Sequence, residues 1–279
     1  MSETTIVLES PKPAHISTEA VEKLSRDLRN AAKTMGLREA RYFVNAYYDL
    51  QDYRIAAANQ QRKLLEGEAP SEFIEWLNKN LGTLEDNIKA MLDKWSAAQP
   101  MGAWARSITG VGPVIASGLL AHIDITKAPT AGHIWRFAGL DPTVTWAKGQ
   151  KRPWNAGLKR LCWLLGESFV KVSGNKNDIY GHLYQERKQY EARRNDAGEL
   201  ADQARARIAD PRKRKELEAG LVALLETGKL PAAALHARAK RWTVKLFLAH
   251  WWEEAFRQHY GKEPPLPYPI AILGHVHRR

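Results

Sequence analysis

The sequence predicts a mainly α-helical protein, with long helices first and a region of short helices on tight turns after them. Three observations carry that prediction. Apolar residues recur at helical spacing over most of the chain, Gly and Pro punctuate it between those stretches, and β-branched enrichment is confined to two short runs. Those runs, IVL at 6–8 and TVTW at 143–146, have no clear pairing partner.

Taken in order, residues 17–35 begin with a Ser/Thr cap and present Val21, Leu24 and Leu28 on one face, and Gly36 ends the helix. Residues 37–66 and 70–98 repeat the pattern. The second starts at Pro70-Ser71 and carries a near-heptad stripe from Phe73 through Leu77, Leu81, Leu84 and Ile88 to Trp95. A Gly67-Glu68-Ala69-Pro70 turn between two long helices predicts an antiparallel, coiled-coil-like hairpin, so residues 1–100 form a helical region. Residues 101–279 form the second domain. Within it, 103–165 is compact and punctuated by Gly and Pro, and 178–209 is a polar, charged helix broken near Gly198. Residues 211–227 and 231–260 are two more helices, the last with aromatic residues that read as core. The Pro-rich stretch that follows reads as an exit from it.

A chain of 279 residues can bury a proper core without staples. Its single cysteine, Cys162, excludes a disulfide framework and a zinc knuckle and favours a reducing cytoplasm. The opening MSETTIVLESPKP lacks the basic start and apolar centre of a signal peptide, and no run is apolar enough to span a membrane. His122, His275 and His277 have no carboxylate or cysteine at ligand spacing, so no metal or other cofactor is expected.

Charge is distributed unevenly. Residues 1–150 hold 17 Lys/Arg and 17 Asp/Glu, whereas residues 151–279 hold 25 against 14, so the whole surplus of +11 lies in the second half. That asymmetry suits a polyanion partner, because cations that neutralise phosphates release condensed counterions. A merely soluble basic surface is the alternative.

The stretch SITGVGPVIASGLLAHIDI at 107–125 places Thr109, Gly110, Val111 and Gly112 between two apolar runs. Two short helices joined by Gly-hydrophobe-Gly make a helix-hairpin-helix, in which glycine admits positive φ and lets the backbone approach a phosphate. The second helix, beginning near Pro113, adds the positive end of its dipole. Trp104, Ile108, Val111, Val114, Ile115, Leu119 and Leu120 are expected to pack the hairpin, which would hold DNA by its backbone with little sequence preference. A tight turn between two core helices is the plain alternative.

The order GVGPVIASGLLAHI, FAGLDP, a basic Gly-containing loop and GLKRLCWLLGESF resembles the C-terminal domain of the insertion-sequence 110/116/902 transposases, over residues 103–195. The helix around Arg241 to Phe256 is compared with that family's closing helix. The resemblance implies DNA, or structured RNA with DNA, as partner; a homo-oligomer is also expected. It also implies an N-terminal RuvC-like domain whose four acidic residues bind Mg²⁺. The first 100 residues depart from this: Asp49, Asp52, Glu75 and Asp86 lie on helical stretches, where a solvated face explains them better than a two-metal site. The catalytic domain is expected to be missing, and those helices look like the spacer that joins the family's two domains.

The family's nucleophilic serine is a second departure. Trp146 or Ala147 stands where it is expected, and Thr143 and Thr145 retain hydroxyls without an evident base. Ser107, Ser117, Ser168 and Ser173 read as cap, packing or turn residues. No catalytic residue is assigned, and whether the chain is an enzyme stays open. The same loop has a non-catalytic use: Lys148, Lys151, Arg152, Lys159 and Arg160 flank Trp146 and Trp154, which suits phosphate contact with stacking. An ordinary basic loop with two core tryptophans is the alternative. Three functions follow: a DNA-binding accessory or regulatory protein of a mobile element or phage; a recombinase component whose RuvC-like nuclease half is a separate chain; or a self-assembling helical protein.

Overall fold

In the computed structural model, residues 20–65 and 71–265 are described, and every regular element among them is helical. The order is α1 (Arg26–Ala31), α2 (Leu37–Leu65), α3 (Glu72–Ala97), α4 (Pro100–Arg106), α5 (Pro113–His122), α6 (Ala131–Phe137) and α7 (Ala156–Val172). There follow α8 (Tyr180–Asp196), α9 (Ala201–Ile208), α10 (Pro211–Lys215), α11 (Ala219–Glu226) and α12 (Ala232–Tyr260), with 3₁₀ turns at Ala32–Thr34 and Ile125–Lys127. The mainly α expectation is met. The TVTW run at 143–146 is loop, while the IVL run, the Gly67–Pro70 turn, His275, His277 and the Pro-rich exit from residue 266 on lie outside the described residues.

The first helix is shorter than its apolar spacing suggests. Residues 20–25 run without regular structure because α3 captures their backbone: Val21 N–H donates to Asn80 Oδ1 (2.6 Å), Leu24 N–H donates to Asn87 Oδ1 (3.1 Å), and Asn87 Nδ2 donates to the Glu22 carbonyl (2.9 Å). Helical hydrogen bonding begins only at Arg26, with Ser25 as its N-cap, accepting from Leu28 N–H. Tertiary partners here outweigh a local apolar pattern.

Helices α2 and α3 are antiparallel. Trp95 Nε1 near the end of α3 donates to the Met35 carbonyl just before α2 (2.8 Å), and in their middle Gln51 and Arg54 meet the buried Glu85 at 3.0 and 2.5 Å. The face that α2 and α3 turn inward carries Val44, Tyr48, Ile88 and Leu92. These join one core with Leu119 of α5, Leu161 and Leu165 of α7, and Phe247 and Trp251 of α12. A second, smaller core gathers Leu200, Ala204, Leu225, Leu230 and Leu235 from α9 to the start of α12.

The break expected near Gly198 is present: Gly198 has φ +79° and separates α8 from α9. The expected helix 211–227 is interrupted, leaving α10 and α11, and α12 ends at Gly261, which takes the left-handed C-cap conformation at φ +65°. Helices α8 and α12 lie antiparallel, tied at one end by Tyr180 to His250 (2.8 Å) and at the other by Asn195, whose amide both donates to and accepts from the Leu230 backbone.

Candidate nucleic-acid interface

The turn between α4 and α5 is held from behind. Of the seven apolar residues expected to pack it, Val111, Val114 and Leu119 are buried in the main core and Trp104, Ile108, Ile115 and Leu120 pack against it, with Trp104 6.1 and 6.0 Å from Phe247 and Trp251. Ser168 of α7 donates its hydroxyl to the Gly110 carbonyl (2.6 Å), and Thr109 Oγ1 donates to the Asn177 carbonyl (3.3 Å). Residues 106–112 and Ser168 line an open recess of about 450 Å³.

The two glycines do different things. Gly110 has φ +94°, and a Cβ there would lie 3.2 Å from both Phe169 and Val172, so its conformation and its packing both call for glycine. Gly112 has φ −82° and ψ 174°, extended backbone open to any residue, and a Cβ there would meet nothing within 4 Å. The expectation that both glycines serve positive φ therefore holds for Gly110 alone. Gly112, itself exposed, caps α5 without a side-chain hydrogen bond, and Pro113 occupies the first turn, so no side chain caps the first amides of α5. Beside Pro113, a further recess of about 470 Å³ is lined by Arg29, Lys89, Lys94, Asp86 and Asp93. Sequence reasoning missed those three cations, because nothing local in α1 or α3 announces that they reach the start of α5.

The basic loop lies elsewhere. Helix α5 runs antiparallel to α7: Gly110 is beside Phe169, Gly118 beside Leu161, and His122 beside Gly157. The turn thus sits at the C-terminal end of α7 and the loop at its N-terminal end, with Ser168 nine positions beyond Lys159, or about 14 Å of helix. The loop itself is organised. Trp146 and Trp154 meet edge to face at 6.2 Å, Trp146 Nε1 donates to the Gln150 carbonyl (2.7 Å), Arg152 lies over Trp146 (5.5 Å) and Lys159 over Trp154 (4.0 Å). Lys148, Lys151 and Arg152 are exposed. Arg160 points back to α2, bonding Asp52 (2.8 Å) and approaching Asp49 (3.7 Å), so its charge ties α7 to α2.

The hydroxyl and imidazole groups behave structurally. Thr143 donates its hydroxyl and N–H to Asp141 (2.7 and 2.9 Å), and these bonds hold the Asp141 carboxyl below the usual carboxylate range, which makes it a poor base. Ser107, Ser117, Ser168 and Ser173 each donate to a backbone carbonyl. His122 is buried, and burial, followed by the nearby Arg41 guanidinium, pushes it down to about 4. Burial pushes the Cys162 thiol up to about 12. Among the described residues no group of three or more His, Cys, Asp or Glu could hold a metal ion, and no helix is long and apolar enough to cross a membrane.

The described residues thus form an all-helical body in which the α4–α5 turn borders an open recess. Residues 103–185 match the transposase IS116/IS110/IS902 family, which bears out the resemblance over that segment and gives it a transposase-related character. The match begins inside α4 and ends inside α8, short of residue 195, and it covers less than half of the chain. It does not extend to α12. No curated protein and no solved structure matches the chain.

Proposed function

We propose that the protein binds DNA, or structured RNA with DNA, through the α4–α5 unit acting as a helix-hairpin-helix, and serves as an accessory or regulatory factor of a mobile element or phage, in the cytoplasm. The observation that carries this reading is Gly112. Its backbone torsions need no glycine and its Cβ would clash with nothing in the protein, yet the bare Cα stands before the open amides of α5, where a phosphate would approach. The family match over the same residues supports a nucleic-acid partner. Lys148, Lys151 and Arg152 form a second contact at the other end of α7.

The family match also favours a second reading, in which the chain is one component of a recombinase whose RuvC-like nuclease half is another polypeptide. A titration against duplex, single-stranded and branched DNA at two salt concentrations, with and without Mg²⁺, tests both. Binding that weakens steeply with salt and does not need Mg²⁺ supports the accessory reading. Strand cleavage that appears only when a RuvC-like chain from a neighbouring gene is added favours the second. A failure to bind any of the three DNA forms contradicts both.

A further inference from the structure

Beyond the matched segment, α8, α9 and α12 converge on a face rich in guanidinium groups. Its centre is Glu191, 1% exposed, which accepts hydrogen bonds from Arg187 (2.5 Å) and Arg238 (2.8 Å) and lies 3.7 Å from Arg194. Burial works to raise the Glu191 carboxyl, but Arg238 and Arg187 outweigh it and hold it below the usual range, so it stays charged. Arg194 is also paired with Glu199 (2.6 Å), and Arg238 Nη1 donates to Gln203 of α9 (2.7 Å). Arg187 packs over Tyr190 and Trp242 at 4.7 and 5.2 Å, and Arg194 over Tyr190 at 5.5 Å.

The carboxylates do not balance this cluster. Arg241, on the solvent side of α12, and Arg207, on α9, form none of the ion pairs found among the described residues, although Arg205 beside it pairs with Asp202. Partial burial, and then repulsion from Arg238 and Arg207, holds the Arg241 guanidinium below its ordinary value. Arg187, Arg194 and Arg238 are thus held around Glu191 by stacking and hydrogen bonds, while Arg241 and Arg207 extend the cluster along α12 and α9, where Arg207 shares a recess with Glu216. Like charges held together at a surface are relieved by a bound polyanion, and the planar fork suits phosphate oxygens in pairs.

We propose that the arginine face of α8, α9 and α12, with Arg207 and Arg241 as its unneutralised members, is a further nucleic-acid contact surface that grips the phosphodiester backbone, separate from the α4–α5 turn and from the basic loop. This rests on the reading of the protein as a nucleic-acid binder. It also accounts for where the charge surplus lies, since much of the basic second half falls on these helices.

The test is a duplex-DNA titration between ~50 and ~200 mM salt for the wild type, an Arg207→Gln/Arg241→Gln double variant and Gly112→Ala. Neither arginine has an internal ion-pair partner to strand, so the double variant is expected to keep the wild-type thermal midpoint. Its affinity should fall about tenfold at the lower salt, and the slope of log affinity against log salt should become shallower by about 2. An Arg207→Lys/Arg241→Lys variant should recover the slope. A double variant with wild-type affinity and slope overturns the proposal while leaving the α4–α5 reading intact, provided Gly112→Ala still weakens binding. A wild type that binds no DNA overturns both. Vesicles containing phosphatidylglycerol form a control arm: loss of vesicle binding in the double variant with unchanged DNA affinity also overturns it.

Discussion

At the residue scale, the α4–α5 turn separates conformational need from surface need. Gly110→Ala forces a side chain onto φ +94° and against Phe169 and Val172, so it should lower stability by about 1 kcal/mol or more, read as a drop in thermal midpoint. The residues of this turn were legible in the sequence; which glycine carried the positive φ was not, because Gly-Val-Gly alone does not set the torsions. His122 makes a second prediction. It is neutral in the folded protein, with its value pushed down to about 4, whereas an unfolded chain takes up a proton near 6.5. The unfolded state therefore binds more protons between those values, and stability should fall by up to about 3 kcal/mol as pH drops from 7 to 4 through this group. In a His122→Asn variant, urea midpoints at pH 7 and 5 should lie closer together than in the wild type. An unchanged gap would assign the pH dependence to other groups.

At the scale of elements, long periodic stretches were readable and their junctions were not. Helices α2, α3 and α12 follow from apolar stripes that local chemistry and packing both support. The absence of helix over residues 20–25 reflects two asparagines on α3, some sixty residues away in sequence, and no local window contains them. Asn80→Ala and Asn87→Ala should therefore each cost about 1 kcal/mol and speed amide exchange at Val21 and Leu24 without disturbing α2. Unchanged protection at those amides would mean that the α3 side chains do not hold the segment. The same limit applies to the interface. The basic loop and the turn are close in sequence, but α5 and α7 run antiparallel and carry them to opposite ends, while Arg29, Lys89 and Lys94 reach the turn from distant positions.

For the whole molecule, the core crosses the boundary drawn near residue 100. Val44, Tyr48, Ile88 and Leu92 pack with residues of α5, α7 and α12, so residues 20–100 and the rest should unfold together. Denaturant unfolding followed by near-ultraviolet and far-ultraviolet circular dichroism is expected to give coincident transitions, and separate ones would argue for two independent domains. Charge is likewise a property of the whole: the surplus in residues 151–279 spreads over the basic loop and the arginine face, at different places in the fold. A long duplex that touches several of these places should bind with a steeper salt dependence than a short one.

The most direct test of the nucleic-acid interface is duplex-DNA affinity in Gly112→Ala, measured beside its thermal midpoint. Extended torsions and open space at this position predict a midpoint close to wild type. If the α5 amides receive a phosphate, the added methyl should push it away, and affinity should fall by about tenfold, the worth of one charge-assisted hydrogen bond. A fully folded Gly112→Ala protein that binds DNA as tightly as the wild type would contradict the account and leave the α4–α5 turn as scaffold.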